Sequence, residues 1–402
     1  MSSAASSVSS AKLPPSQRLC KVVRELPPSG IRRFFDIVAN KPDVLSLGVG
    51  EPDFVTPWGV REEAIFALEK GATSYTGNAG LLDTRRAISQ YLERRYGVAY
   101  NPLNEIVVTV GASQAIDITL RAILDPGDEC IVVKPSYVCY DPLIQVTRGV
   151  PVSLDVRPES GFLPSPHALE ALITERTKML ILNYPNNPTG VTYSLPLLRE
   201  IAEIVERHDL LVISDEIYSE LTFEGEEHTA FATLPGMWER TVTISGFSKA
   251  FAMTGWRLGY LCGPSGLVSG MLKIHQYAML CAPIMSQIAA VEALQRLEED
   301  VRPMRESYER RGRLLAAGLR EAGLPAMTPA GAFYAFADIR GTGLDDVTFC
   351  ERLIEEDNVA LVPGSAFGDT GKGFVRAAFA VSEKTIERAC QRVGAFVERL
   401  RK

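Results

Sequence analysis

The sequence predicts an α/β protein, in which a mostly parallel sheet carries helices on both faces and a second, smaller α+β domain follows. The chain of 402 residues is too long for one simple core. Its middle alternates short β-branched runs with amphipathic helical stretches, and this pattern stops near residue 290. We therefore expect an N-terminal tail and arm over residues 1–50 that packs with the small domain. A large domain is expected over residues 51–290 and the small domain over residues 291–402.

Six apolar runs predict the strands of the large domain. The helical stripe of Leu198, Ile201 and Val205 lies between two of these runs and begins after Ser194, a favoured N-cap residue. Alternation of strands and helices is typical of a parallel sheet covered on both faces, and such sheets bind ligands beyond the carboxyl ends of their strands. The predicted strands are residues 106–110, 130–133, 179–182, 210–213, 241–244 and 258–262.

The last hundred residues have a different pattern. A charged helix is predicted over residues 302–322, an aromatic strand over 332–336 and a further helix near 349–354. Two short strands and a final amphipathic helix that begins at Ser382 complete this part. Such a succession is typical of a compact α+β domain.

Charge and cysteine content argue against several classes of protein. A net charge of -7 leaves no basic excess for nucleic acid, and no apolar run reaches the length of a membrane span. The seven scattered cysteines indicate reduced thiols and a cytoplasmic protein, and the four histidines lack metal-ligand spacing. Residues 1–11 are rich in Ser and Ala, which favours a disordered tail over an organellar targeting segment.

The most informative run is Ser-Gly-Phe-Ser-Lys-Ala-Phe-Ala-Met-Thr-Gly-Trp-Arg-Leu-Gly-Tyr at residues 245–260. Lys249 lies here among small residues, just after a predicted strand. Burial lowers the pKa of a lysine and frees its amine to form a Schiff base with a carbonyl cofactor. Arg257 can neutralise a phosphate with its planar guanidinium. A single lysine in such a turn is more often a surface cation, so this interpretation depends on other residues.

Two further strand ends carry polar side chains. Asp215 follows the strand at 210–213 and precedes Tyr218 by three residues, so its carboxylate can hold a protonated ring nitrogen while the phenol contacts another edge. A helix N-cap is the alternative role for this carboxylate. The run Asn-Tyr-Pro-Asn-Asn-Pro-Thr-Gly at residues 183–190 predicts a rigid turn, with an X-Pro bond able to be cis and with Asn187 directed into the mouth of the sheet.

A phosphate-binding turn is predicted at Gly111, Ala112 and Ser113, where a strand runs into a helix. Small residues expose backbone N–H groups there, the helix dipole favours an anion, and Ser113 adds a hydroxyl. The spacing matches neither the Walker nor the G-x-G-x-x-G motif. Tyr137 follows the next strand and can place its ring against a flat cofactor.

Together, the Lys249 run, Asn-Asn-Pro-Thr-Gly at 186–190, Ser-Asp-Glu-Ile-Tyr at 214–218 and Gly-Glu-Pro-Asp-Phe at 50–54 resemble the class I pyridoxal-phosphate-dependent aminotransferases. The resemblance covers nearly the whole chain from about Ser29. It implies the fold type I architecture, with a mostly parallel seven-stranded sheet, and pyridoxal 5'-phosphate as cofactor. It also implies amino-acid and 2-oxo-acid substrates and a homodimer with shared active sites.

The resemblance implies a role for each residue of the cofactor ring site. Lys249 would form the Schiff base and then move the α-proton of the substrate, with ping-pong kinetics. Asp215 would keep the pyridine nitrogen protonated, and Tyr218 and Asn187 would bond the phenolic oxygen of the ring. Tyr137 would stack on the ring.

The same resemblance implies where the phosphate and the substrate carboxylate bind. Arg257, Ser113 and the amides of Gly111 and Ala112 would hold the phosphate, together with Tyr75 from the neighbouring subunit. Many family members carry serine at the position of Gly246, so Ser245 or Ser248 would replace that phosphate contact. The substrate-binding residues would be Arg376, Gly50 and Asn187. Arg376 would bind the α-carboxylate of the substrate in a bidentate manner.

The substrate is less well defined. Residues 29–35 and 274–277 resemble members that act on N-acetyl-LL-diaminopimelate or on aromatic amino acids, and both remain open. A dedicated aspartate pocket is disfavoured because one aspartate-specific subgroup has lysine where Ser113 stands, and residues 274–279 contain no arginine.

Other functions on the same fold remain open. A pyridoxal-phosphate-dependent carbon–sulfur lyase would retain every cofactor residue. A non-catalytic regulator is disfavoured because the residues before Ser29 are too few and too rich in Ser for a DNA-binding domain. A nicotinamide dehydrogenase would need a glycine fingerprint that the sequence lacks.

Overall fold

The computed structural model describes residues 14–27, 30, 41 and 43–401. A seven-stranded sheet forms the centre of the large domain, with the strand order β2-β8-β7-β6-β5-β3-β4. Strand β8 runs antiparallel to both of its neighbours and the other pairs are parallel. The prediction of a mostly parallel sheet is therefore confirmed. These strands are β2 (Ile106–Thr109), β3 (Glu129–Lys134), β4 (Val150–Asp155), β5 (Thr177–Asn183), β6 (Leu211–Asp215), β7 (Thr241–Gly246) and β8 (Gly259–Cys262).

The edge strand β4 is the one that the hydrophobic pattern does not predict. It contains Pro151, and its residues are mostly exposed or half-buried, so it lacks a continuous apolar run. Proline is tolerated at a sheet edge because one side of that strand needs no ladder hydrogen bond.

Helices cover both faces of this sheet. On one face lie Ile131, Leu180 and Val212. They pack in a core with the buried side of the helix Leu195–Arg207 (α7), including Leu198 and Ile201. The other face carries the alternate strand residues, including Val132, Ile181 and Ile213. They pack with the helices Ala112–Ile123 (α4) and Ser265–Ala278 (α8). The predicted N-cap is confirmed, because the Ser194 hydroxyl accepts a hydrogen bond from the Leu197 N–H.

The helices occur in the following order along the chain. Three of them, α2, α3 and α9, pack together beside the sheet. The α-helices are α1 (Lys21–Glu25), α2 (Trp58–Glu69), α3 (Leu82–Tyr96), α4 (Ala112–Ile123), α5 (Tyr140–Val146), α6 (Pro166–Leu172), α7 (Leu195–Arg207), α8 (Ser265–Ala278), α9 (Ile284–Gln295), α10 (Arg302–Glu321), α11 (Asp346–Asp357) and α12 (Glu383–Leu400), with a π-helical segment at Leu297–Val301. Short 3-10 helices lie at Pro15–Arg18, Pro158–Ser160, Ser219–Leu221, Phe231–Thr233, Trp238–Arg240, Thr254–Trp256, Arg340–Thr342, Gly364–Phe367 and Asp369–Gly371.

The C-terminal part forms the predicted α+β arrangement. An antiparallel sheet of order β11-β12-β9 packs with α10 and α11, and α12 packs on these two helices. Helix α12 begins after Ser382, whose hydroxyl accepts a hydrogen bond from the Thr385 N–H. Its strands are β9 (Tyr334–Asp338), β11 (Val362–Pro363) and β12 (Phe374–Ala378).

A short N-terminal strand joins this C-terminal part. Strand β1 (Leu45–Ser46) pairs in parallel with β10 (Val359–Ala360). The pairing places the loop that follows β1, residues 47–54, beside the ends of the large sheet. The domain limits at residues 50 and 290 remain our proposal, and the Ser- and Ala-rich segment 1–11 lies outside the described residues.

Candidate active site

A cavity of about 700 Å³ opens at the edge where β2, β5, β6 and β7 end. Because β8 is antiparallel, the segment that precedes it, including Arg257, reaches the same edge. The cavity brings together most of the residues that the sequence singles out. Those that line it are Gly50, Ala112, Ser113, Tyr137, Asn187, Asp215, Tyr218, Ser248, Lys249, Arg257 and Arg376.

Lys249 lies in a turn three residues after β7 and projects its amine into the cavity. The Nζ atom donates a hydrogen bond of 2.7 Å to the carbonyl oxygen of Gly50 and lies 5.6 Å from the ring centroid of Phe333. Burial lowers the pKa of this amine to about 8, and the positive charge of Arg376 contributes in the same direction. Near neutral pH a useful fraction of the amine is therefore unprotonated and nucleophilic.

Asp215 ends β6 with its carboxylate buried at the inner wall of the cavity. The hydroxyl of Tyr140 donates a 2.6 Å hydrogen bond to this carboxylate, and the Ile217 N–H donates another of 3.3 Å. Burial raises the pKa of Asp215 to about 6, and the Tyr140 hydrogen bond opposes that rise. The carboxylate is thus held close to its titration range, with a strong preference for a cationic partner.

The predicted turn at residues 183–190 connects the ends of β5 and β6 through hydrogen bonds of Asn183. The side-chain amide of Asn183 donates a 3.0 Å hydrogen bond to the backbone oxygen of Asp215, and its oxygen accepts one of 3.2 Å from the N–H of Asn187. Both X-Pro bonds in this turn, at Pro185 and Pro188, are cis. The side chain of Asn187 lines the cavity, as expected.

Arg376 lies in the middle of β12 and is only 2% exposed. Its guanidinium donates hydrogen bonds to the side-chain oxygen of Asn187 at 3.0 Å and to the carbonyl oxygen of Gly48 at 2.7 Å. Burial lowers the pKa of Arg376 from its usual value. The Nε atom is buried without a partner among the described residues, so a donor is available for an anion.

The opposite end of the cavity is built to hold an anion. Helix α4 begins after Gly111, which has a φ of 85° and leaves room for a guanidinium: a Cβ at this position would lie 2.7 Å from Nη2 of Arg257. Gly259 allows an equally close approach, because its Cβ would meet the backbone nitrogen of Ala112 at 2.5 Å. The amino end of α4, the Ser113 hydroxyl and Arg257 form one electropositive region.

Four predicted residues need separate description. Tyr137 is half-buried at the cavity wall and meets Tyr140 edge to face at 5.7 Å. Ser245 lies outside the cavity and its hydroxyl donates to the Glu216 carbonyl oxygen at 3.2 Å, whereas Ser248 lines the cavity. Tyr75 is 82% exposed and does not reach the cavity of its own chain.

Sequence reasoning missed two aromatic residues of the site. Tyr140 has no motif of its own, and its only signal is its position three residues after Tyr137. Tyr334 lies in the predicted aromatic strand at 332–336, where a continuous apolar run indicates burial but not a role. Its hydroxyl lies 3.0 Å from the hydroxyl of Tyr218.

Two other observations concern the described residues alone. They contain no group of three or more His, Cys, Asp or Glu side chains that could hold a metal ion. In the same part of the chain, no helix is both long enough and apolar enough to cross a membrane.

Known proteins resemble this chain over almost its full length. YugH of Bacillus subtilis (strain 168), a candidate aminotransferase whose name gives no substrate, is 51% identical over 95% of this chain and 98% of its own. Aromatic-amino-acid aminotransferase 2 of Thermococcus litoralis is 41% identical over 91% and 95% of the two chains. Other relatives are named for aspartate and for N-acetyl-LL-diaminopimelate.

The fold comparison agrees with these relatives. The solved aspartate aminotransferase of Thermus thermophilus with maleate has a TM-score of 0.90 and 39% identity, and the match covers 94% of this chain and 99% of that one. The profile of the family "Aminotransferase class I and II" matches residues 42–393. The chain belongs to the class I and II aminotransferases, and the protein is an aminotransferase of the fold type I architecture.

Proposed function

We propose that the protein transfers an amino group between an L-amino acid and a 2-oxo acid such as 2-oxoglutarate, with pyridoxal 5'-phosphate bound through Lys249. One observation carries this proposal. The buried amine of Lys249, with its pKa lowered to about 8, shares one cavity with the Asp215 carboxylate and with two separate anion sites, at Arg376 and Arg257.

The side chains that are present fit this cofactor. Asp215 offers a buried anion for a ring nitrogen, and Asn187 and Tyr218 offer polar groups for a ring oxygen. The amino end of α4, Ser113 and Arg257 offer donors for a phosphate, and the space beside Gly111 that a Cβ would fill admits the guanidinium. When bound, pyridoxal phosphate supplies a carbonyl that condenses with amines and a ring that withdraws electrons from them.

The chain's own residues perform the remaining work. Arg376 is held by Asn187 and Gly48 so that its guanidinium can bind the α-carboxylate of a substrate and orient the α-hydrogen. Once it is free, the amine of Lys249 accepts the α-proton of the substrate. The same amine then donates a proton in a later step of the amino-group transfer. Its lowered pKa keeps a neutral base available near pH 7 to 8.

We propose that the amino donor is an aromatic amino acid, or that the protein accepts a broad range of amino acids with neutral side chains. Three cations line the cavity among the described residues: Lys249, Arg257 and Arg376. With these assigned to cofactor, phosphate and α-carboxylate, a side-chain carboxylate finds no further cation among the described residues that line the cavity. The other lining residues include Ile116, Val138 and Ile217.

N-acetyl-LL-diaminopimelate is the second candidate. It is supported by the relative named for this substrate, which is 42% identical over 93% of the chain. Of the sequence segment 29–35 that suggested this substrate, only Gly30 is described, so that resemblance stays a prediction.

We further propose a homodimer in the cytoplasm, in which Tyr75 contacts the phosphate bound by the neighbouring subunit. Tyr75, Tyr277 and Met279 are 82%, 87% and 50% exposed, and the side chain of Asn78 joins the two segments through a 3.0 Å hydrogen bond to the Leu280 oxygen. Exposed aromatic and apolar side chains of this kind support an interface with another chain.

The test is a single-turnover experiment with purified protein and pyridoxal phosphate. Phenylalanine, tyrosine, aspartate and N-acetyl-LL-diaminopimelate are added separately, and the 2-oxo acid released is quantified without a second substrate. We expect one equivalent of 2-oxo acid per subunit, and then full turnover when 2-oxoglutarate is added. L-Cystathionine is added as a further donor, and release of ammonia together with pyruvate from it would instead support the carbon–sulfur lyase.

A further inference from the structure

Tyr334, the first residue of β9, connects two parts of the site. Its side chain is 1% exposed and lines the cavity with its hydroxyl end. It contacts Tyr218 and Arg376, which stand on different parts of the fold. A residue in contact with both can determine how each is oriented.

The hydroxyl end of Tyr334 meets the hydroxyl of Tyr218 at 3.0 Å, and the two rings are edge to face at 5.9 Å. A phenol has one proton to donate. If Tyr334 donates to Tyr218, the proton of Tyr218 is free to point at a ligand in the cavity. If Tyr334 lacked its hydroxyl, Tyr218 would lose both this donor and the polarisation that makes it a stronger donor itself.

The ring of Tyr334 packs against the guanidinium of Arg376. The guanidinium carbon lies 4.3 Å from the ring centroid of Tyr334 and 4.8 Å from that of Phe367. Aromatic faces attract such a cation, and two rings restrict the plane in which it lies. The hydrogen bonds to Asn187 and Gly48 fix the remaining freedom.

Gly50 shows that the position of the Tyr334 hydroxyl matters to the neighbouring backbone. A Cβ on Gly50 would lie 2.5 Å from that oxygen. The carbonyl of the same residue accepts the hydrogen bond from Lys249. The phenol, the loop and the lysine are therefore packed close together, and a side chain larger than that of glycine at position 50 would displace the phenol.

We propose that Tyr334 is a positioning residue with two separable actions: its hydroxyl directs the proton of Tyr218 toward the bound cofactor, and its ring orients Arg376 for the substrate carboxylate. This inference rests on the proposed pyridoxal-phosphate function, since it assigns Tyr218 to the cofactor. It adds to that function a residue through which the cofactor side and the carboxylate side of the cavity are joined.

The experiment compares Tyr334→Phe, which removes only the hydroxyl, with Tyr334→Leu, which also removes the ring. Two quantities are measured in the wild type and in each variant after loading with pyridoxal phosphate. One is the midpoint of the pH-dependent change in cofactor absorbance. The other is the dissociation constant of 3-phenylpropionate, which carries a carboxylate but no amine and cannot react.

In Tyr334→Phe we expect the absorbance midpoint to rise by about half a pH unit, because a weaker Tyr218 donor stabilises the deprotonated cofactor less. The affinity for 3-phenylpropionate should stay within about twofold. In Tyr334→Leu we expect that affinity to fall about tenfold, because the guanidinium loses one aromatic face.

Two results would overturn the inference. One is an unchanged midpoint in Tyr334→Phe; the other is an equal loss of carboxylate affinity in both variants, which would indicate general damage. The wild type tests the proposed function separately. If the wild type loaded with pyridoxal phosphate shows no pH-dependent absorbance band, the assignment of the cofactor is wrong, whatever the two variants show. Circular dichroism and thermal midpoints confirm that each variant is folded.

Discussion

The hydroxyl of Tyr140 donates a 2.6 Å hydrogen bond to the carboxylate of Asp215. This bond opposes the effect of burial, which raises the pKa of Asp215 to about 6. Tyr140 is itself buried, and its own pKa is raised by burial and by the nearby carboxylate, so it stays a proton donor across the working range. The pair keeps a carboxylate charged at a place where burial alone would favour its neutral form.

Burial of Asp215 should cost the cofactor-free protein stability. Its carboxyl titrates near 3.9 in an unfolded chain and near 6 in the folded protein, so the folded state binds more protons between these values. The free energy of unfolding should therefore fall as pH rises from about 4 to about 6. Cofactor-free Asp215→Asn should be more stable than the wild type at pH 8, by about 3 kcal/mol, and equally stable at pH 4.

Denaturant unfolding at both pH values measures this difference. The exposed Asp43→Asn serves as the matched control and should show no change at either pH. The same Asp215→Asn variant should lose activity at least about a hundredfold, because the ring nitrogen loses its anion. If Asp215→Asn were no more stable than the wild type at pH 8, burial of the charged carboxylate would not lower the free energy of unfolding as we expect.

The amine of Lys249 should determine how fast the cofactor-free protein takes up pyridoxal phosphate. Only the neutral amine is nucleophilic, and its pKa is lowered to about 8. The uptake rate, followed by absorbance, should rise with pH and level off above about pH 9. Lys249→Arg should show no covalent uptake at any pH. A wild-type rate that stays flat between pH 7 and pH 9 would be inconsistent with a Lys249 pKa of about 8.

Replacement of Arg376 by lysine should test the carboxylate site. Lysine keeps the charge but cannot hold Asn187, Gly48 and a carboxylate with one planar group. We expect kcat/KM for the preferred amino acid to fall about a hundredfold while pyridoxal phosphate stays bound. The exposed Arg388→Lys is the control and should behave as the wild type.

Ser113 provides a test of substrate choice. It lines the phosphate end of the cavity, and Ser113→Lys would add a fourth lining cation whose long side chain can extend toward the side chain of the substrate. The ratio of kcat/KM for aspartate to that for phenylalanine should rise about tenfold, because a side-chain carboxylate then has a partner. Ser113→Gln adds similar bulk without charge and should leave the ratio low. Equal ratios in both variants would show that a positive charge at this position does not select the substrate.

Tyr75 can be tested by mixing subunits. In a dimer with shared sites, Tyr75→Ala and Lys249→Ala each damage both sites of their own dimer. A mixed dimer has one site with native Lys249 from the first variant and native Tyr75 from the second, so activity should return on mixing under conditions of subunit exchange. Mixtures that stay as weak as Tyr75→Ala alone would place Tyr75 outside the neighbour's site.

The sequence predicts the parts of the site that have local signals. Lys249, Asp215 and Asn187 stand in runs whose order is specific, and each follows a strand whose apolar pattern is clear. The structure brings all three into one cavity. Strand β4 escaped prediction because it lies at the edge of the sheet and contains Pro151, so it has no buried apolar run.

Tyr140 and Tyr334 escaped assignment for another reason. Their roles depend on residues far away in the chain: Tyr140 reaches Asp215, and Tyr334 reaches Tyr218. Only the tertiary fold brings these partners together, and buried tyrosines are common in any core. The direction of β8 was similarly hidden, since an apolar strand reads the same in parallel and antiparallel pairs.

The pairing of β1 with β10 has a consequence for synthesis of the protein. Strand β1 leaves the ribosome well before its partner β10, which is encoded about 300 residues later. Until then the loop with Gly48 and Gly50, which contacts both Arg376 and Lys249, has no fixed place. The growing chain can form much of its large sheet early, yet the cavity stays incomplete and incapable of selecting a substrate until β10 and β12 have been synthesised.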